Sequence, residues 1–95
     1  MSHPEDEDVF HLPISDELDL HTFKPSDVKE LVNDYIYECE KEGIFKVRII
    51  HGKGKSVLKH IVHKQLEKHP LVDSFQDAER GSGGWGATIA YIKQG

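Results

Sequence analysis

Apolar residues recur along this chain in two rhythms. In "KPSDVKELVNDYIYECEKEG", Val28, Leu31, Val32, Tyr35, Ile36 and Cys39 fall at i, i+3, i+4, i+7, i+8 and i+11, the single stripe of an amphipathic helix. Pro25 suits its first position, Asp27 suits the positive end of its dipole, and Gly43 suits the position just past its end. A second helix is expected from about Ser56, carrying Val57, Leu58, Ile61, Val62 and Leu66 on one side and stopped by Pro70. Elsewhere the period drops to two. In "ELDLH", Leu18 and Leu20 alternate with Asp19 and His21, so a short strand would project the latter pair from one face. "FKVRII" reads as a strand with a buried apolar end, and "VDSFQDA" as a strand of weaker pattern. In "ATIAYI", Ala87, Ile89 and Tyr91 alternate against Thr88, Ala90 and Ile92, after the glycine-rich connection "ERGSGGWG".

The order is β-α-β-α-β-β, which predicts an α/β chain built as an α+β two-layer sandwich. The first two strands are joined through a helix and should be parallel, with a right-handed crossover. The last two should form a hairpin, and both helices should cover one face of a four-stranded mixed sheet. A chain of 95 residues makes one small domain. Residues 1–15, acidic and with Pro4 and Pro13, read as a flexible tail, and residues 16–95 as the folded unit.

Composition narrows the setting. Apolar content is 37%, and no apolar run approaches the roughly 20 residues of a membrane span. The beginning, "MSHPEDEDVF", lacks the basic and apolar regions of a signal peptide. One cysteine allows no internal disulfide, which suits a reducing cytoplasm; no membrane partner is expected, and a monomer is the default where the sequence leaves the oligomeric state open. The formal charge of -5 argues at first against nucleic acid, but its distribution changes that. Residues 1–20 hold seven acids and no Lys or Arg, leaving the remainder at net +2. From Lys46 to Lys68, seven basic residues stand against Glu67 alone, an asymmetry that suits either an anionic ligand or a solvated helix face.

The candidate chemistry follows from the topology. Ligands of open α/β sheets bind beyond the carboxyl ends of the strands. His21 ends the first predicted strand and His51 the second, and a third strand of the same direction would bring the loop of residues 80–86 to that edge. Gly52 and Gly54 allow close backbone approach, the helix start near Ser56 offers free N–H groups, and Lys53 and Lys55 add charge. "GKS" at residues 54–56 is the tail of a nucleotide-binding P-loop, but Ile49 stands where that signature needs a glycine. His21 and His51 can move protons, with Asp19 orienting a histidine or acting as a base. Attack on a phosphodiester needs such parts: a base, an acid and cations for the developing charge. Asp19, His21 and His51 are also metal-ligand types, but no tight spacing joins them, and neither a metal nor another cofactor is expected. His60 and His63 lie off the apolar stripe of the second helix and read as surface residues. Cys39 reads as core. Trp85 either stacks on a base or covers the sheet edge.

"LDLH" at residues 18–21, "IIHGKG" at 49–54 and "GGWGAT" at 83–88 together resemble, in order and spacing, the Smr (small MutS-related) domain, over about Glu17 to Lys93. The resemblance implies a fold similar to the C-terminal domain of bacterial translation initiation factor three. It implies an endonuclease that nicks DNA or cleaves RNA, including mRNA on stalled ribosomes, so that nucleic acid and the ribosome are the implied partners. The family's Asp-x-His pair falls on Asp19 and His21, and its His-Gly-Lys-Gly loop on His51, Gly52, Lys53 and Gly54. The last motif falls on Gly83, Gly84, Gly86, Ala87 and Thr88. With Lys55, Lys59 and Trp85, these loop residues form the expected phosphate and nucleic-acid surface, and Asp19, His21 and His51 the expected catalytic set. Two departures stand out. Thr22 replaces the family's usual glycine, and a β-branched residue disfavours positive φ, so this turn should be shaped differently. Lys55 and Ser56 replace the usual Thr-Gly. Two alternatives stay open: a binding module of the same fold without catalysis, and a binder of small phosphorylated ligands.

Overall fold

The stripe from Val28 to Cys39 becomes a helix with defined ends. The computed structural model describes residues 14–52, 56–78 and 86–94, with residue 56 described by its backbone alone. Its elements are β1 (Glu17–Asp19), α1 (Pro25–Lys41), β2 (Lys46–Ile50), α2 (Ser56–Lys68), β3 (Val72–Asp77) and β4 (Ala87–Ile92). Pro25 opens α1, as its fixed φ and missing donor favour. The helix ends in a Schellman arrangement. Ile44 N–H reaches back to the Cys39 carbonyl at 2.9 Å and Gly43 N–H to Glu40 at 3.2 Å, with Gly43 at φ 77° between them.

The sheet order is β1-β2-β4-β3. β1 and β2 are parallel, and β4 runs antiparallel to both β2 and β3. Three strands therefore point one way, and their carboxyl ends share a rim with the start of β4. Register decides which side chains go where. Val47 pairs with Ala90 and Ile49 with Thr88, and all four are buried on the covered face. Lys46 pairs with Tyr91 and Arg48 with Ile89 on the open face. Val28, Val32, Tyr35, Ile36 and Cys39 of α1, with Leu58, Val62 and Leu66 of α2, close the core over the covered face. The Tyr35 hydroxyl donates to the Ser15 carbonyl at 2.6 Å and so ties the approach to β1 onto α1.

One expectation needs correcting, and another finds its cause. Val57 is not on the apolar side of α2; it is 60% exposed. The stripe runs Leu58, Val62, Gln65 and Leu66, and Val57 sits about 100° of helical rotation from Leu58, beyond the edge of the contact. The pattern of β3 is weak because its ladder shifts register between Val72 and Ser74, so period-two alternation breaks there.

His69, just past α2, is 4% exposed. Its Nδ1 accepts from Leu71 N–H at 3.1 Å, so the proton sits on Nε2, which donates to the Asn33 carbonyl at 3.2 Å. Burial pushes this imidazole below its ordinary 6.5.

Two outcomes are expected. Gly43→Ala should cost about 1 kcal/mol in urea unfolding, from backbone strain alone, because a Cβ there meets nothing within 4 Å. The pH dependence follows from His69. With the folded value depressed, the unfolded chain binds this proton more readily, so its contribution is fully present above about pH 6.5 and declines as the pH falls below that. Urea midpoints measured from pH 7.5 to 5 should fall, with a slope of at most about 1.4 kcal/mol per pH unit from one such histidine. His69→Gln should flatten that slope.

Candidate functional site

The rim gathers polar side chains because each strand end is fastened to its neighbour there. Leu20 N–H donates to the Ile50 carbonyl at 2.7 Å, extending the β1–β2 pairing past Asp19. His51 N–H and Gly52 N–H both donate to the Gly86 carbonyl, at 2.7 and 2.8 Å. Gly52 takes φ 88°, which lets the chain leave the sheet at once.

Asp19 and His21 meet as expected, but not through strand alternation. The strand stops at Asp19 and His21 lies in a turn. Asp19 Oδ1 accepts from His21 N–H at 3.0 Å and contacts His21 Nδ1 at 2.5 Å. The carboxylate thus folds the chain onto itself as an Asx turn and orients the ring in the same act. With Nδ1–H committed to Asp19, Nε2 of a neutral His21 is left as a lone pair. The pair is about half exposed, and the two bonds from His21 hold the Asp19 carboxyl below its ordinary value. The turn closes with Phe23 N–H on the Leu20 carbonyl at 2.9 Å, and no described non-glycine residue has positive φ. Thr22 therefore sits in a turn that makes no such demand.

His51 is placed differently. It is 1% exposed, in phase with Val47 and Ile49 on the covered face. Its Nε2 lies 2.9 Å from the hydroxyl of Thr88, itself fully buried. The same hydroxyl lies 2.9 Å from Nε2 of His63 in α2. Burial pushes both imidazoles below 6.5; near His51 the Gly52 backbone opposes this, and near His63 Asp77 does. Asp77 at the end of β3 faces His63 Nε2 at 3.6 Å through one oxygen and Lys59 Nζ at 3.2 Å through the other. Phe75 packs on the His63 ring at 5.0 Å.

Sequence reasoning placed His63 on the surface with His60. His60 is exposed, whereas His63 is turned inward with 29% of its side chain accessible. Thr88, expected at the nucleic-acid surface, has its hydroxyl taken up by two histidines, and Lys59 is engaged by Asp77. One signal could have exposed this: Thr88 is in phase with the buried Ala90 and Ile92. Lys53, Gly54, Lys55, Gly83, Gly84 and Trp85 lie outside the described residues. Among the described residues no cluster of three His, Cys, Asp or Glu side chains is arranged to hold a metal ion. Nor is any described helix long and apolar enough to cross a membrane. Cys39 is fully buried, and burial raises its thiol. A groove on the open sheet face, lined by Asp16, Lys46, Arg48, Gln76, Ile89 and Tyr91, contains no histidine and lies apart from this arrangement.

The comparisons with known proteins bear on the family and the fold. The family model for the Smr domain matches residues 18–93. The chain is 38% identical over 79 residues to a protein named Endonuclease MutS2 from Pelotomaculum thermopropionicum, covering 83% of this chain and 10% of that one. A protein of the same name from Caldicellulosiruptor saccharolyticus is 40% identical over 62 residues, covering 65% of this chain and 8% of that one. The chain thus spans about a tenth of the length of these curated relatives. The crystal structure of the Smr domain of Thermus thermophilus MutS2 superposes with a TM-score of 0.77 at 29% identity, covering 83% of this chain and 99% of that one. That of YdaL, a stand-alone small MutS-related protein from Escherichia coli, gives 0.79 at 22% identity, covering 99% of this chain and 78% of that one, and speaks to the fold alone. With its fold, motif order and the greater part of its length in agreement, the chain belongs to the Smr domain family.

Proposed function

We propose that this chain is an Smr-type endonuclease that cleaves phosphodiester bonds in RNA or DNA. The observation that carries the reading is the Asp19–His21 pair, an exposed imidazole oriented by a carboxylate at the end of β1. His21 Nε2 takes the proton of the attacking hydroxyl, which is the 2′-hydroxyl of RNA or a water on DNA. Asp19 holds the ring's orientation and favours the imidazolium that forms. His51, at the neighbouring strand end, serves the proton needed by the leaving oxygen. Lys53 and the amides of the glycine loop stabilise charge on the phosphate, with Gly54, Lys55 and Lys59 adding to the same surface. We assign contact with nucleic acid also to Gly83, Gly84, Trp85 and Gly86. Family membership and the name of the MutS2 relatives support the chemistry. A second reading, a module that binds nucleic acid or a ribosome without cutting, is favoured by the burial of His51, which keeps that ring from free contact with a substrate.

Labelled RNA and DNA substrates, with and without EDTA, decide between them. His21→Ala should lower cleavage by about 100-fold or more, as expected for loss of a general base, while leaving nucleic-acid affinity within about twofold. Equal cleavage by wild type and His21→Ala would overturn the assignment. Salt-sensitive binding with no cleavage by wild type would favour the binding module.

A further inference from the structure

The geometry points to His63 as a positioning residue: through the Thr88 hydroxyl it sets which nitrogen of His51 carries the proton. A hydroxyl has one proton to give. Thr88 Oγ1 lies 2.9 Å from both Nε2 atoms and has no third hydrogen-bond partner among the described residues. Its proton therefore goes to one imidazole, and it accepts from the other. The two rings cannot choose tautomers independently.

The direction follows from Asp77. Its Oδ1 faces His63 Nε2 at 3.6 Å, too long for a good hydrogen bond but close enough to favour N–H over a lone pair at that atom. The chain then runs one way. His63 Nε2–H donates to Thr88, and Thr88 O–H donates to His51 Nε2. Because burial keeps His51 neutral, its single proton is on Nδ1. That atom is buried and has no hydrogen-bond partner among the described residues, and the adjacent Gly52 backbone favours a proton on the ring. In the reverse order, a His63 lone pair would face a carboxylate. Lys59, held to Asp77 at 3.2 Å, fixes the carboxylate that biases the chain.

The consequence separates the two histidines of the site. A neutral His21, its Nδ1 held by Asp19, leaves Nε2 as a lone pair, whereas His51 keeps its proton on the buried Nδ1. Its significance for cleavage rests on the nuclease reading above; the tautomer itself does not.

Two-bond proton–nitrogen correlation spectra of ¹⁵N-labelled protein at pH 7.5 read the tautomers directly. Wild-type His51 should be in the Nδ1–H form. His63→Leu should raise the Nε2–H to Nδ1–H ratio of His51 about tenfold, the worth of one directing hydrogen bond. His63→Gln, whose amide can still donate to Thr88, should restore the wild-type ratio. Asp77→Asn, an exposed change that also serves if His63→Leu does not fold, should shift the ratio in the same direction as His63→Leu. An Nε2–H form of wild-type His51, or spectra unchanged in both His63→Leu and Asp77→Asn, would overturn the inference. Absence of cleavage with these spectra as expected would sink only the nuclease reading.

Discussion

The carbonyl of Gly86 accepts two consecutive N–H groups, from His51 and from Gly52, and the rim depends on that double contact. It ends the pairing of β2 with β4 at a fixed residue. Upstream of it, the ladder holds Ile49 opposite Thr88, so His51 and the Thr88 hydroxyl come together on the covered face. Downstream, Gly52 turns away at positive φ toward the start of α2, whose first turns supply Lys59 and His63. A slip of one residue in this register would carry Thr88 to the open face with Ile89 and Tyr91 and would break the contact to both histidines.

The ladder for His51, and the turn after β1 for His21, give the two rim histidines opposite environments. Asp19 pairs with Ile50, whose side chain belongs to the open face, whereas His51 is in phase with Ile49. His21 thus stands in water beside a carboxylate, and His51 is enclosed beneath α2. Desolvation penalises an imidazolium in the second place. Two residues of identical chemistry therefore differ in what they can do.

Much of this was legible from the chain. α1 was readable because Pro25, the stripe from Val28 to Cys39, and Gly43 all agree on its limits. The parallel β1–β2 pair and the β3–β4 hairpin followed from element order. The site was less legible, for two physical reasons. Placing residues at one rim ignores the face to which each belongs, so His21 and His51 looked alike. The strand order was the other missing fact. β4 lies between β2 and β3, which puts Thr88 beside His51 and Asp77 beside His63, contacts 37 and 14 residues apart that no local pattern encodes. His63 was read as surface because it lies outside the apolar stripe. A polar residue at a stripe's edge can still face inward when a buried hydroxyl offers it a hydrogen bond.

Thr22 follows the same logic of local geometry. A glycine after the histidine would be required only if the turn passed through positive φ. Here the Leu20–Phe23 bond closes the turn with every described non-glycine residue at negative φ. The Asp19 carboxylate holds its other side through the His21 amide. The turn is therefore braced from within and by a side chain that also orients the imidazole, and neither brace draws on residue 22. A β-branched residue fits this turn without the strain it would meet in the left-handed region. The substitution leaves the orientation of His21 with Asp19.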